Sequence, residues 1–113
     1  MFLCLPLSFI QSIKSEIMKQ LEDIYNRVVE ATLEASELTF EQLAISRTER
    51  CVTARVVMID TLIEIGFTET DIAAVSGMSQ QRVNSLKNSA RYRLKGLAAR
   101  VMREEMKKRL VTQ

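Results

Sequence analysis

Four carboxamides and three arginines crowd the stretch SQQRVNSLKNSARYRLK, residues 79–95. Gln80, Gln81, Asn84 and Asn88 each hold a donor and an acceptor side by side in one plane. That pattern pairs bidentately with the adenine edge in a DNA major groove, while the donor fork of Arg82 suits guanine or a phosphate. Lys87, Arg91, Arg93 and Lys95 follow, and no acidic residue interrupts them. Cations spaced in this way suit a polyanionic backbone, and the backbone N–H groups at the start of a helix beginning near Ser79 would add to them. The candidate base-edge residues are therefore Gln80, Gln81, Arg82, Asn84, Ser85 and Asn88. The candidate phosphate residues are Ser79, Lys87, Arg91, Arg93 and Lys95.

Other chemistries find little to work with. The chain has no histidine, which removes the commonest metal ligand and general base. Cys4 and Cys51 lack CxxC spacing, so neither a zinc site nor a disulfide framework is expected. There is no Gly-rich phosphate loop, and no histidine or reactive thiol accompanies the acidic residues. The expectation is a non-enzyme with no catalytic residue, metal or cofactor; the sequence identifies no small-molecule ligand and leaves a ligand-regulated switch open. Cys51, inside an apolar run, reads as a small core residue. Asp60, also among apolar residues, reads as a solvated or arginine-paired edge position.

The candidate residues need a scaffold, and the composition points to helices. Among 113 residues there are 3 Gly and 1 Pro, helix formers dominate, and no segment alternates strictly enough for a strand. One compact all-α domain is the expectation for this length, with a modest core that a second subunit would supplement. The net charge of +2 hides an asymmetry. Residues 1–77 hold 6 Lys+Arg against 12 Asp+Glu, a balance of −6; residues 78–113 hold 10 against 2, a balance of +8. A basic segment on an acidic scaffold is the electrostatic footprint of a polyanion ligand.

Residues 1–9, MFLCLPLSF, read as an apolar leader, either disordered or loosely packed. They lack the charged flank and cleavage site of a signal peptide and are too short to span a bilayer. No membrane association and a cytoplasmic location follow as expectations, and Met18 would serve as a start as well as Met1. Residues 10–46 form an N-terminal helical segment. Ile10, Ile13, Ile17, Leu21, Ile24, Val28, Ala31 and Ala35 step by three or four residues and lay one apolar stripe on a long helix. Two readings of that stripe stand: packing within the domain, or pairing with its copy in a homodimer. Thr39 with Gln42 forms a capping box. From Thr48, apolar residues on most faces predict a buried central helix that Gly66 ends.

Residues 47–113 form the second unit. Thr68 with Asp71 caps a short helix that stops at Gly77, and Ser79 caps the next. Ala73, Gly77 and Val83 have the spacing of a helix-turn-helix: a small residue at the crossing, a residue free to take positive φ, and an apolar wedge shared with Ile72, Met78 and Leu86. With those inward, the amides must face outward. Tyr92 either bonds a phosphate or packs in the core, and the core is the expectation. From Gln80 the helix is expected to run to about Leu110, weakened at Gly96. Its apolar late side either folds back on the first helix or meets a partner.

TDIAAVSGMSQQRVNSLKNSARYRLKG resembles the helix-turn-helix of LuxR-type response regulators and of sigma-factor region 4. Asp71, Ile72, Ala73, Val83, Arg93 and Leu94 carry the likeness, and Arg82 stands where LuxR-type motifs usually have Thr. With CVTAR, Cys51 to Arg55, ahead of it, the segment is also similar to small helix-turn-helix proteins of bacterial mobile elements. The resemblance spans roughly residues 47–96. It implies a DNA-binding domain with Gln80 to Arg93 in the major groove.

The sequence therefore predicts an all-α helix-turn-helix bundle of four to five helices, with a long N-terminal helix and a long C-terminal recognition helix. The predicted function is sequence-specific binding of double-stranded DNA by a bacterial transcriptional regulator. A homodimer, through the N-terminal or C-terminal helices, would present two recognition helices about 34 Å apart. Contacts to about four to six phosphates would give a log–log salt slope near −4 to −5. The alternative is a helical interaction module that binds protein and not DNA.

Overall fold

The computed structural model describes residues 7–112. Those residues form six helices: α1 (Leu7–Ser36), α2 (Phe40–Ile45), α3 (Glu49–Ile65), α4 (Glu69–Ser76), α5 (Gln80–Arg93) and α6 (Leu97–Thr112). The described residues contain no strand, in keeping with the all-α expectation. Of the leader expected at 1–9, residues 1–6 lie outside them, and residues 7–9 belong instead to α1, which starts before the expected boundary at residue 10.

α3 is the hub, and the other five helices gather round it. Ten of its residues are buried, and Val56, Val57, Ile59 and Leu62 are wholly inaccessible. Fully burying side chains of this size is worth about 1.5–3 kcal/mol each, so α3 anchors the core. Its end is chemically determined. Gly66 takes φ +129°, its N–H reaches the Ile63 carbonyl at 3.1 Å, and the Phe67 N–H reaches the Leu62 carbonyl at 3.0 Å. This paired closure satisfies the last carbonyls and seats Phe67 in the core at 5% exposure.

Both expected capping boxes form. Thr39 and Gln42 exchange hydrogen bonds at the start of α2, as do Thr68 and Asp71 at the start of α4. α4 stops at Gly77, which adopts the left-handed conformation at φ +79°. The chain then turns through Met78 and Ser79 into α5.

The long C-terminal recognition helix is not observed, and the helix count of four to five becomes six among the described residues. The chain breaks at Leu94–Gly96. The Gly96 N–H bonds to the Arg93 carbonyl at 3.2 Å, and the Gly96 carbonyl then accepts from Arg100 to open α6. Packing explains the break. α5 lies on α3 and α4, whereas α6 returns along α1 and α3, and one straight helix cannot do both. α6 buries Ala99, Met102 and Met106 in the core and is pinned by charge. Arg109 meets Glu34 at 2.8 Å, Arg103 meets Asp60 at 3.3 Å and Glu64 at 3.1 Å, and Lys107 meets Glu64 at 3.5 Å. Asp60 is thus the arginine-paired edge residue its setting suggested, and Cys51 is buried at 2% exposure.

The apolar stripe of α1 has two fates. From Leu21 onward it packs on the core, with Val28 and Ala31 fully buried. Residues 11–20 are exposed throughout, including Ile13 at 41% and Ile17 at 50%. That half of α1 stands beyond the bundle and gives the molecule its 53 Å long axis against 31 and 27 Å.

Candidate nucleic-acid interface

α5 begins with Ser79, whose hydroxyl accepts the Arg82 N–H at 3.1 Å. Val83, Leu86 and Ala90 recur on one face at helical spacing and are buried, which fixes the rotation of α5 on α3. Two further contacts tie α5 to α4. Gln80 Nε2 donates to Thr70 Oγ1 at 2.6 Å, and Lys87 Nζ meets a Glu69 carboxylate oxygen at 3.2 Å. The turn between α4 and α5 is short because Gly77 reverses the chain without steric cost.

With that rotation set, every candidate base-edge residue lies outward: Gln80, Gln81, Arg82, Asn84, Ser85 and Asn88 are all exposed. Asn88 Nδ2 donates to Asn84 Oδ1 at 3.3 Å, so two of the amides lie along one line on the helix surface. At 14 residues α5 is about 21 Å long, enough to lie along a groove about 12 Å wide. Its first turn carries no acidic side chain, unlike those of α2, α3 and α4.

The candidate phosphate residues divide. Lys87 is paired with Glu69, and Arg93 with Glu49 at the start of α3. Arg82, Arg91 and Lys95 make no ion pair with the described residues. The same division runs through the basic C-terminal third, where Arg103, Lys107 and Arg109 neutralise carboxylates of α1 and α3. Much of the positive excess after residue 77 therefore holds the fold together, and the cations left over concentrate on and just after α5.

Tyr92 does not enter the core. It is 78% exposed, because it lies on the opposite side of α5 from Val83, Leu86 and Ala90. Arg55 on α3 was not singled out by sequence as a site residue, yet it is 8% exposed. Its Nε donates to the Leu43 carbonyl at 2.6 Å, while its Nη2 is buried without a hydrogen-bond partner. An arginine inside the apolar run CVTARVVMI was the available signal. Comparison of the chain with protein-family models, with curated proteins and with solved structures returned no match.

Proposed function

We propose that this chain binds double-stranded DNA in a sequence-specific way, with α4, the turn at Gly77–Ser79 and α5 acting as a helix-turn-helix. In this reading α5 lies in the major groove, the protein regulates transcription in the bacterial cytoplasm, and no chemical step is involved. One observation carries the reading: a rotationally fixed helix exposes Gln80, Gln81, Asn84 and Asn88, with Arg82, Arg91 and Lys95 nearby and without an ion-pair partner among the described residues. Amides in that setting read base edges, and free cations hold the phosphates. The N-terminus of α5, with no acidic side chain in its first turn, favours a phosphate there.

Dimerisation belongs to the same proposal. The standing half of α1, with Ile13 and Ile17 outward, is the surface on which a second copy would pair and so set two α5 helices on half-sites about 34 Å apart. That apolar surface also favours a second reading, a helical adaptor that grips a protein and ignores DNA.

The test is selection from random duplexes near physiological salt, followed by titration of the selected site. Gln81→Ala and Asn84→Ala should each weaken the selected site by about 1–3 kcal/mol and leave random DNA nearly unaffected. Inverted half-sites would report the two-fold dimer. Equal losses on selected and random DNA would remove the base-reading role, and no duplex binding at all would favour the adaptor.

A further inference from the structure

Beside the turn that leads into α5 lies a cavity of about 410 Å³, walled by α1, α2, α3 and the turn itself. That volume falls in the roughly 300–1,000 Å³ range of small-molecule sites. Its apolar side is made by Val29, Phe40, Leu43 and Met58, and Tyr25 adds a second aromatic ring. Its polar side holds two arginines, Arg55 and Arg82, next to Ser79, the capping residue of α5. No carboxylate lines it.

The arginines are the unusual part. A buried guanidinium is normally matched by an acid or fully hydrogen-bonded, because an unpaired buried charge is costly. Arg55 has one such bond, from Nε to the Leu43 carbonyl, and a buried Nη2 with none. Burial, and next the charge of Arg82, work against its charged form. Arg82 itself has no ion pair among the described residues. Arg55 is buried and Arg82, in the first turn of a 14-residue helix, is exposed; neither has an ion pair among the described residues, and no acid on the cavity wall faces them.

We propose that this cavity binds a small carboxylic acid with an apolar body, the carboxylate meeting Arg55 and Arg82 and the body lying against Phe40, Leu43 and Met58. The assignment stands independently of DNA binding. Where α5 does read DNA, a carboxylate on Arg82 withdraws that cation from the duplex, so the ligand weakens DNA binding; this last consequence rests on the function proposed above.

Tyrosine emission provides a direct readout, since the chain has 2 Tyr and no Trp. In a Tyr92→Phe background the remaining tyrosine, Tyr25, is on the cavity wall. 3-Phenylpropionate is titrated into this chain without DNA, following emission and melting temperature at constant ionic strength. Saturable binding with a raised melting temperature is expected. 3-Phenylpropan-1-ol, the same body without the charge, should bind about tenfold or more weakly, as should inorganic phosphate, the charge without the body. Arg55→Met should weaken the acid at least as much. Should that variant fold poorly, Arg82→Gln, at an exposed position, and Ala44→Phe, which fills the cavity from an exposed position on α2 and adds no tryptophan, should each weaken the acid about fivefold or more. Three results overturn the assignment: equal binding of acid and alcohol, no saturation below about 10 mM, or unchanged binding in both Arg82→Gln and Ala44→Phe. Because these titrations contain no DNA, their failure leaves the nucleic-acid proposal standing, and the reverse also holds.

Discussion

Freeing the two paired cations of α5 should change how the protein responds to salt. Arg82, Arg91 and Lys95 have no ion-pair partner among the described residues, while Lys87 and Arg93 are held by Glu69 and Glu49. Each phosphate neutralised by a free cation contributes about −0.9 to the slope of log affinity against log salt. Three free cations per protomer therefore give about −2.7, shallower than the whole basic run would suggest. A lysine that leaves a glutamate for a phosphate exposes that glutamate in exchange, so the paired residues add little. Glu49→Gln with Glu69→Gln removes both partners and raises the count to five, for a slope of about −4.5. Between about 50 and 200 mM salt the double variant should lose about tenfold more affinity than the parent chain. Fluorescence anisotropy on a duplex of roughly 20 base pairs measures both slopes directly. The substitutions also remove acids from the first turns of α3 and α4, at a cost of about 0.3–1 kcal/mol each in stability, so melting curves are taken alongside. Parallel log–log lines for parent and double variant would show that the reasoning from pairing to counterion release is wrong.

Three further outcomes follow from the backbone and the ion pairs. Gly77→Ala places a Cβ where nothing lies within 4 Å, so only the strain of φ +79° remains; the expected loss is about 1–2 kcal/mol, or about 4–8 °C in melting temperature by circular dichroism. An unchanged melting temperature would mean the turn relaxes freely. Glu37 is the reverse case, a non-glycine residue at φ +57°; Glu37→Gly should raise stability by about 0.5–1 kcal/mol, and a lower melting temperature would contradict this. The Arg103 hydrogen bond, then its charge and that of Lys107, hold the Glu64 carboxyl below its ordinary value of 4.5. A lowered folded pKa contributes stability that is present above the ordinary value and is lost as pH falls through the folded one. Denaturant midpoints should therefore fall faster below about pH 4.5 for the parent chain than for Glu64→Gln, and superimposed profiles would rule the ion pair out as a source of acid sensitivity.

Local chemistry was the most legible part of the sequence. Thr39 with Gln42, Thr68 with Asp71, Gly66 and Gly77 marked helix ends because capping and positive φ are decided within four residues. The outward face of α5 was legible for the same reason, since Val83 and Leu86 set its phase. That phase, followed to Ala90, also places Tyr92 outside, so its exposure was recoverable from the pattern. The break at Leu94–Gly96 was not, because Gly96 alone does not stop a helix; the break reflects the need for α6 to return to α1. Nor was the sorting of cations into paired and free. Lys87 and Glu69 lie 18 residues apart and Arg93 and Glu49 lie 44 apart, and only the packing of α5 on α3 and α4 brings them together. Arg55 entered the sequence reading only as the last residue of CVTAR, and the cavity it borders is made by four separate segments.

α1 joins two thermodynamic regimes on a single ladder of backbone hydrogen bonds. Its packed portion, around Val28 and Ala31, opens only when the core opens. Its standing portion, residues 11–20, is shorter than the roughly 12–15 residues at which an unsupported helix in water is marginally formed. Amide protons should exchange quickly over the first turns and slow steeply near Leu21, within one continuous helix. A molecule that clasps Ile13 and Ile17 would lengthen the protected stretch from the far end, and so change a helix that also abuts α3 and α6 without touching either.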